Sequence, residues 1–487
     1  MKDLSIALVG IGGYGNSFVN WLLDANGHAN ARIVAAIDPN PTRCARLPEL
    51  LHAGVQVFSD LDDFYRSSHA ELAILSTPIH LHARQTITAL DNHSHVLCEK
   101  PLCTTPEEAE RMRRAELERR GHVAIGYQWS FSRAVQSLKR DILNGDFGRP
   151  RQLRTIVLWP RDEAYYRRNR WAGALRDADG NWVLDSPVNN ACAHHLHNML
   201  YVLGTETARS ARPVELTAEL YRAKAIENYD TAAIRVRTDG DVELLFIVSH
   251  SVDQIVGPRF SFEFERGIIE YDDAPHASII ARMNDGSIRE YGCPNESKDR
   301  KLWLTIDAIR RQRPTLCGIS AALAHTQCVW AAQQSGEPIR AFPRDRVRVA
   351  GIPGHRLTSV DGLTEQLIDC FEAWQLPSER GFDWSSPSRT VAVTGASEPA
   401  EDLQPKPAFP SMPKPAPMPE PTTMPEPATM AEPATMPEPA TMPERESMPE
   451  RESVPEPVTM PEPATEPKVS VTVTLPNRRG AGTALPS

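Results

Sequence analysis

The sequence lacks the marks of a disulfide-stabilised or membrane-spanning protein. Its eight cysteines are scattered and none forms a Cys-x-x-Cys pair, which is typical of reduced thiols in a cytoplasmic protein. No apolar run approaches the ~20 residues that a helix needs to cross a bilayer. The short apolar run near the N-terminus leads directly into glycines, as a buried strand does and a signal peptide does not. We therefore expect a cytoplasmic location.

Strong charge of either sign is also missing from most of the chain. The formal net charge of the 487 residues is −10, but the 89 residues after Glu398 hold 13 acidic and 7 basic side chains and so account for −6 of it. The preceding 398 residues carry only −4. Such a mildly acidic body gives no reason to expect nucleic acid or a membrane as a partner.

Large apolar side chains are almost absent near the C-terminus, whereas proline is abundant there. Of the 42 prolines, 23 follow Glu398, many of them in hexads such as MPEPAT that begin at Met418. Proline at every second or third position forbids helix and central strand, so residues 396–487 are predicted to form a disordered, extended tail. The composition is typical of a solubilising linker, and an arm that docks on a proline-recognising partner is the alternative.

Residues 1–125 are predicted to form a doubly wound α/β domain of the Rossmann type. Short apolar runs such as SIALVG and ELAILST alternate with helical stretches such as NSFVNWLLDA and LHARQTITALDN. Runs that are apolar throughout are typical of strands buried on both faces. Their alternation with helices predicts a parallel sheet.

Residues 126–395 show a different pattern and are predicted to form an α+β substrate domain. An amphipathic helix at 134–145 precedes strands of alternating character, among them AAIRVRTD, VELLFIVSHSV and RFSFEFERG. Helical patterns return at 301–312, 318–336 and 364–375. The strands and turns indicate a mainly antiparallel, open sheet. We expect homo-oligomers to form through this sheet.

A glycine-rich turn joins the first predicted strand to the first predicted helix. In the pattern G-x-G-x-x-G, the first glycine permits a tight turn, the second lets the backbone approach a pyrophosphate and the third allows close helix–strand packing. The loop that would meet the dinucleotide comprises Gly10, Ile11, Gly12, Gly13, Tyr14 and Gly15.

The end of the next predicted strand indicates which dinucleotide binds. Asp38 ends this strand, where its carboxylate would accept hydrogen bonds from ribose hydroxyls and repel a 2′-phosphate. The position therefore predicts NAD. NADP is less favoured, although Arg43 lies close enough to offer a positive charge.

Two further stretches, STPIHLHA at 76–83 and CEKPL at 98–102, carry a family resemblance. With the glycine loop and the NNACAH run at 189–194, they make the sequence resemble the Gfo/Idh/MocA family, which includes glucose–fructose oxidoreductases and inositol dehydrogenases. The resemblance covers about residues 1–395. It implies a nicotinamide cofactor that is also bound by Thr77, Pro78, His82, Glu99 and Lys100.

The same resemblance implies a catalytic group made of Lys100, His194 and Asn190, which would also contact the substrate. Two positions depart from the family pattern. Ile79 stands where the loop usually has asparagine, and Asn190 stands where the second-domain motif usually has aspartate. The base would then be weaker than in relatives with aspartate, or Lys100 would carry more of the work.

The histidine-rich run NNACAHHLHNMLYVLG is predicted to be one helix that ends at Gly204. On that helix Asn190, His194 and His197 share a face, and His195 is assigned to the surface. His194 is interpreted as the proton acceptor, because a histidine with a pKa near neutrality serves both directions of an alcohol oxidation. Histidines bonded at a domain interface remain an alternative, above all for His197. A metal site on the same face would lack a third ligand, so no metal is predicted.

A stretch dense in arginine and aromatic residues, WPRDEAYYRRNRWAG at 159–173, precedes this run. Arg161, Tyr166 and Trp171 are candidates for a cleft wall, because aromatic faces stack on sugar rings and guanidinium groups hold carboxylates. A solvated basic loop is an equally good interpretation of the stretch. His250, in the run IVSHSV, is a minor candidate for the same cleft.

The function we expect is that of an NAD(P)-dependent oxidoreductase acting on the hydroxyl or keto carbon of a sugar, sugar acid or cyclitol. A redox-neutral enzyme that cleaves glycosides with tightly held NAD is one alternative. A nucleotide-binding sensor or scaffold, with weakened catalysis and a partner recruited by the tail, is the other. Production of NADH during turnover distinguishes the first two.

Overall fold

The computed structural model describes residues 3–25 and 30–393. The predicted tail at 396–487 lies outside these ranges. None of the helices described is long and apolar enough to cross a membrane.

The N-terminal part is built on a six-stranded parallel sheet, as predicted. Its strand order is β3-β2-β1-β4-β5-β6, so the chain starts in the middle, winds to one edge and returns to build the other. The four residues of the central strand β4 are all buried, which explains their unbroken apolar sequence. The strands are β1 (Leu4–Val9), β2 (Ala31–Ile37), β3 (Gln56–Phe58), β4 (Leu72–Leu75), β5 (His95–Cys98) and β6 (Val123–Ile125).

Five α-helices accompany this sheet. The hydroxyl of Thr105 accepts a bond from the backbone N–H of Glu108 and so caps the longest of them. They are α1 (Gly15–Asp24), α2 (Leu47–His52), α3 (Leu61–Ser67), α4 (His82–Asp91) and α5 (Pro106–Arg119), with short 3₁₀ turns at Pro41–Arg43 and Ile79–Leu81. Two glycines meet the steric demands of the turn from β1 to α1. A Cβ on Gly10, whose φ is +81°, would lie 2.6 Å from the carbonyl oxygen of Ser76, and one on Gly15 would lie 2.0 Å from that of Gly10.

The second part of the chain contains a ten-stranded mixed sheet. Its strand order is β14-β13-β12-β11-β7-β10-β9-β8-β15, and β18 pairs with β8. The strands are β7 (Pro150–Leu158), β8 (Pro213–Arg222), β9 (Thr231–Thr238), β10 (Glu243–Ser249), β11 (Val256–Phe264), β12 (Gly267–Asp272), β13 (Ile279–Met283), β14 (Ile288–Gly292), β15 (Arg340–Ala341) and β18 (Thr390–Ala392).

Most neighbours in this second sheet are antiparallel, as predicted, but β7 and β10 run parallel, with Leu158 opposite Ser249. A separate hairpin is formed by β16 (Val347–Ala350) and β17 (Leu357–Val360). The boundary that we placed near residue 125 follows the last strand of the first sheet and stays a prediction.

Six further α-helices belong to this part. They are α6 (Arg133–Leu143), α7 (Glu163–Arg167), α8 (Ala193–Val202), α9 (Arg300–Arg311), α10 (Ile319–Gly336) and α11 (Leu363–Ala373), with 3₁₀ turns at Gln128–Phe131 and Arg344–Arg346.

The middle of the second sheet is covered on both faces. One face joins the large core that includes Leu196 and Met199 of α8. The other face packs Ile156, Leu245 and Ile247 against Leu367 and Phe371 of α11. The middle strands of this sheet therefore do not offer a free apolar face for self-association.

Candidate active site

The glycine loop and the start of α1 form a cradle for an anion. The backbone N–H groups of Ile11 and Gly12 donate to Oδ2 of Asp38, at 3.0 and 3.3 Å. Those of Gly13 and Tyr14 donate to no acceptor in the part of the chain that the structure describes. Free N–H groups at the start of a helix favour a phosphate. The loop thus has the donors and the space that a pyrophosphate needs.

Asp38 lies at the end of β2, as predicted, and its second carboxylate oxygen accepts from the backbone of Asn40 at 2.8 Å. The side chain of Arg43 packs beside the loop, because a Cβ added to Gly12 would lie 3.0 Å from that of Arg43. An acid and an arginine therefore border the place where an adenosine ribose would meet the loop. Their balance bears on the choice between NAD and NADP.

The loop after β4 is held from inside the protein. His82 is 1% exposed, and its two ring nitrogens lie 2.8 Å from the carbonyl oxygen of Pro101 and 3.0 Å from that of Thr77. Its side chain therefore ties the Thr77–Pro78 turn to the Glu99–Pro101 turn and has no free atom for a cofactor. Our placement of His82 among cofactor contacts is corrected to a supporting role. Ile79 is buried as well, at 4% exposure.

Glu99 pairs with a residue from far along the chain. Its carboxylate is bonded to Lys301 of α9, whose amine also donates to the hydroxyl of Tyr14 at 3.0 Å. Lys301 is 1% exposed. This buried pair joins the second part of the chain to the glycine loop, so Glu99 serves that junction and leaves the neighbouring Lys100 free to face elsewhere.

Lys100 meets Asn190, and a third residue completes the contact. The Lys100 amine donates to the backbone oxygen of Asn190 at 2.7 Å and to its Oδ1 at 3.1 Å. The amide nitrogen of Asn190 donates in turn to Oδ1 of Asp185 at 2.7 Å. Oδ2 of Asp185 accepts from the backbone of Gly173 at 2.7 Å and pairs with Arg168 at 3.4 Å. The family motif usually has a carboxylate at position 190, and here Asp185, five residues earlier, supplies one.

Burial controls the pKa values of the two ionisable groups, Lys100 and Asp185, that Asn190 connects. Desolvation lowers the pKa of Lys100 to about 8, with Glu99 and Asp185 opposing the shift and Lys301 adding to it. Desolvation also raises the pKa of Asp185, which Arg168 and the donors from Gly173 and Asn190 partly counteract. An amine with a pKa near 8 exchanges protons at physiological pH, unlike an ordinary lysine.

His194 interacts electrostatically with Lys100, and its ring makes no hydrogen bond to the residues that the structure describes. It is partly exposed, and its Nδ1 is buried without a hydrogen bond. Burial lowers the pKa of His194 well below its usual value, and the charge of Lys100 lowers it further. The ring is therefore neutral near pH 7 and is a weaker base than we expected.

The other two histidines of the run are core residues. His195 is 4% exposed and its ring lies 4.8 Å from that of Trp129 and 5.7 Å from that of Trp159, so our assignment of His195 to the surface is wrong. His197 is fully buried, bonds Ser130 at 2.9 Å and stacks on Tyr127. Among the residues described, no group of three potential ligands could hold a metal ion.

The run is also not one continuous helix. α8 begins at Ala193, and the residues before it form turns in which the N–H of Asn190 donates to the oxygen of Ser186 and that of Cys192 to the oxygen of Pro187. Asn190 therefore does not share a helix face with His194. The turn instead places the side-chain oxygen of Asn190 against the Lys100 amine.

The arginine and aromatic stretch forms α7 and the loop that leads to Asp185. The Arg168 guanidinium lies 3.8 Å from the ring centre of Tyr165 and 5.3 Å from that of Trp171, and it reaches Asp185. The hydroxyl of Tyr166 is hydrogen-bonded to Nδ1 of His250 at 2.8 Å. Trp171 thus contacts Arg168, which connects it through Asp185 and Asn190 to Lys100. Tyr166 instead contacts His250.

Comparisons with known proteins find a family match for the N-terminal part of the chain. Residues 4–127 match the family model GFO_IDH_MocA, which is described as an oxidoreductase family with an NAD-binding Rossmann fold. These residues thus carry the NAD-binding domain of the Gfo/Idh/MocA family. The N-terminal part of the chain is accordingly an NAD-binding Rossmann domain.

Two relatives are similar to about a third of this chain. An inositol 2-dehydrogenase of Leifsonia xyli is 32% identical over 149 residues, which are 30% of this chain and 42% of the relative. The chain therefore spans less than half the length of this relative. A 2,7-anhydro-N-acetylneuraminate hydratase of Mediterraneibacter gnavus is 30% identical over 149 residues, 31% of this chain and 38% of the relative.

One solved structure shows that the likeness in fold is broader. The WlbA dehydrogenase of Bordetella pertussis, solved with NADH and UDP-GlcNAcA, superposes with a TM-score of 0.57 at 22% identity. The alignment covers 69% of this chain and 97% of WlbA. The two-part fold of this chain is thus shared with WlbA.

Two residues of the candidate site escaped the sequence analysis. Asp185 lies only five positions before Asn190, and an acid so close to the departure from the family pattern was the available signal. Lys301 is 202 residues from Glu99 in the chain. An isolated lysine at the start of an amphipathic helix carries no local sign of such a partner.

Proposed function

We propose that this protein is an NAD-dependent oxidoreductase that acts on a hydroxyl-bearing carbon of a sugar, sugar acid or cyclitol. The observation that carries the proposal is the buried Lys100 amine, held by Asn190 and Asp185 beside His194 in a chain whose N-terminal domain binds NAD. Oxidation of an alcohol requires an acceptor for the hydroxyl proton, and this amine has a suitable pKa of about 8.

The cofactor would be held by the glycine loop, by Asp38 and by the Thr77–Pro78 turn. The free N–H groups of Gly13 and Tyr14 are the donors for its pyrophosphate, and the Asp38 carboxylate is the acceptor for its adenosine ribose. A nicotinamide bound there would supply the hydride acceptor. Repulsion between Asp38 and a 2′-phosphate supports NAD over NADP.

Lys100 has the principal role in proton transfer in this proposal. Its neutral amine accepts the proton of the substrate hydroxyl, and the ammonium that results is stabilised by Asn190 and, through it, by the Asp185 carboxylate. Asp185 touches no reacting atom and is a positioning residue. His194 orients the same hydroxyl through its neutral ring, since its lowered pKa makes it a poor acceptor at neutral pH.

A redox-neutral reaction is the second candidate. Two of the relatives are named as 2,7-anhydro-N-acetylneuraminate hydratases, at 30% identity over 149 and 146 residues. Such a name describes addition or removal of water without net oxidation. The same lysine would serve as acid and base in either reaction, so geometry alone favours neither.

A screen with added NAD tests the proposal. Sugars, uronates and cyclitols are offered to the purified protein, NADH is followed by its absorbance at 340 nm, and products are identified by mass spectrometry. NADH that accumulates with substrate consumption supports the oxidoreductase. Conversion of a glycoside or anhydro sugar with constant NADH supports the second candidate, and NADH binding with no conversion of any compound contradicts both.

A further inference from the structure

A pair of unused hydrogen-bond donors lies where β7 and β10 end. These strands are parallel neighbours, so the residues that follow them leave the sheet at the same edge. Arg161 follows β7 and His250 follows β10, and the backbone N–H of Arg161 donates to the oxygen of His250 at 3.2 Å. The two side chains therefore start from adjacent positions.

Arg161 pairs with no acidic side chain within residues 3–25 and 30–393. Its guanidinium lies between the rings of Trp159 and Tyr165, at 5.4 and 5.3 Å from their centres, and its hydrogen bond within the described chain goes to the neighbouring oxygen of Pro160. The side chain is partly buried, and its charge adds to the desolvation that lowers the pKa of the buried His250. Partly buried arginines are normally paired, because an unpaired buried charge costs free energy.

His250 provides the second donor. It is 1% exposed, its Nδ1 is bonded to the hydroxyl of Tyr166, and its Nε2 is buried with no partner. When the phenol donates to Nδ1, the single proton of the neutral ring sits on Nε2. An N–H buried without an acceptor is destabilising, and a bound acceptor removes this cost.

The nearby carboxylates are already engaged elsewhere. Asp185 accepts from Gly173, Asn190 and Arg168. Asp230 accepts from the backbone of Ala223 and Lys224, and Asp162 accepts from the backbone of Tyr165 and from His355. None of them bonds Arg161 or Nε2 of His250, so both donors remain for a ligand.

We propose that Arg161 and His250 form a carboxylate subsite, so that the substrate of this protein is a sugar acid and not a neutral sugar or a cyclitol. The subsite lies near the proton-transfer group, since the ring of Tyr165 packs against both Arg161, at 5.3 Å, and Arg168, at 3.8 Å, and Arg168 pairs with Asp185. A carboxylate there would accept from the guanidinium fork and from the imidazole N–H. This inference rests on the proposed function for the identity of the reacting carbon but not for the binding of the acid.

Paired ligands test the subsite on the NADH-loaded protein. D-glucuronate and D-gluconate are compared with D-glucose and D-glucitol by titration calorimetry. We expect at least one acid to bind about tenfold or more tightly than its neutral counterpart, which corresponds to the ~1.4 kcal/mol of a charged hydrogen bond. Equal affinity within both pairs would overturn the proposal.

Two variants test whether the preference for the acid depends on Arg161 and His250. Arg161→Gln is expected to abolish the preference for the acid and to leave NADH affinity unchanged, and His250→Phe is expected to reduce the preference. Arg149→Gln is the matched control, because this arginine has an 89% exposed side chain at the opposite end of β7 and its loss changes the net charge equally. A preference that survives Arg161→Gln, or that is lost equally in the control, places the acid elsewhere.

Calorimetry, together with the screen for NADH formation, separates this inference from the proposed function. Acid binding that depends on Arg161 without any NADH formation from NAD and the acid would retain the subsite and reject the oxidoreductase. NADH formation from a neutral sugar with no preference for acids would retain the oxidoreductase and reject the subsite.

Discussion

The cofactor end and the substrate end of the candidate site differ in how far the side chains that build them are hydrogen-bonded. At the cofactor end, Asp38 holds the glycine loop, Glu99 holds Lys301, and both nitrogens of His82 lie against carbonyl oxygens. At the substrate end, Nδ1 of His194 and Nε2 of His250 are buried without partners.

This difference indicates where ligand binding changes the protein most. A set of mutually bonded groups is already in its binding arrangement, so the dinucleotide has little to reorganise there. Unpartnered buried groups, in contrast, are destabilising until a ligand supplies the missing partner. Changes at the substrate end should therefore act on chemistry and substrate affinity, and changes at the cofactor end on nucleotide affinity.

The largest effect is expected at Lys100. Lys100→Met removes the proton acceptor, and general-base loss typically costs about 10²- to 10⁴-fold in rate. Lys100→Arg keeps the charge but cannot release a proton near neutral pH, so we expect it to be almost as damaging. Single-turnover formation of NADH measures the chemical step.

Lys298→Met is the control for Lys100, because Lys298 is an exposed lysine just before α9. Its turnover should match that of the unaltered protein. Substantial activity in Lys100→Arg would show that Lys100 acts through its charge and that another group accepts the proton.

Substitution of His194 is expected to cause a smaller loss of turnover, whereas substitution of His197 is expected to reduce stability. His194→Ala should lower turnover by about tenfold to a hundredfold, since it removes a group that orients the hydroxyl but is not the main base. His197→Ala should instead lower the melting temperature, because it leaves a cavity against Tyr127 and an unpaired Ser130.

Turnover at a temperature where each variant is folded distinguishes these histidine roles. A chelator should change none of the activities. If a chelator abolishes activity, or if His197→Ala in its folded form loses as much turnover as His194→Ala, these assignments are wrong.

Local patterns in the sequence predicted the parts of the molecule that depend on local physics. The glycine loop and Asp38 are spaced by the dimensions of one strand–turn–helix unit, so their positions could be inferred from spacing alone, and their roles in cofactor binding stay predictions. Strand β3, with three residues of which one is a glutamine, has too short an apolar run to be predicted.

The errors at the substrate end arose from long-range contacts. His195 was assigned to the surface because helical periodicity turns it away from His194, but Trp129 and Trp159 come from distant segments to cover it. The parallel pairing of β7 with β10 joins residues about 90 positions apart. Without that pairing, Arg161 and His250 cannot be recognised as neighbours.

A shift in pH dependence is expected at the Asp185–Asn190 link. The forward rate rises as Lys100 loses its proton, so the acidic limb of the profile follows the pKa of Lys100, about 8. Asp185→Asn removes a negative charge that favours the ammonium, so this pKa falls and the limb should move to lower pH by about one unit. Asn190→Asp adds a charge 3.1 Å from the amine and should move the limb to higher pH.

The opposite directions of these two shifts separate electrostatics from structural damage. Damage to the fold would lower the maximal rate of both variants without moving their profiles in opposite senses. Shifts in the same direction, or no shift in either variant, would contradict the role of Asp185 as a positioning residue.

The smallest effect is expected at Asp38, because the side chains at its end of the site are already hydrogen-bonded. In the unaltered protein NADH should bind more tightly than NADPH, since the carboxylate repels a 2′-phosphate. Asp38→Ala should narrow this difference by about tenfold or less, with Arg43 then free to attract the phosphate. The same substitution should also modestly weaken the binding of NADH, because the N–H groups of Ile11 and Gly12 lose their acceptor.

Dissociation constants from the fluorescence of NADH and NADPH measure both changes. Tighter binding of NADPH by the unaltered protein would reverse the assignment and make Arg43 the determinant, whereas a large loss of turnover at saturating NADH would show that the two ends of the site are coupled.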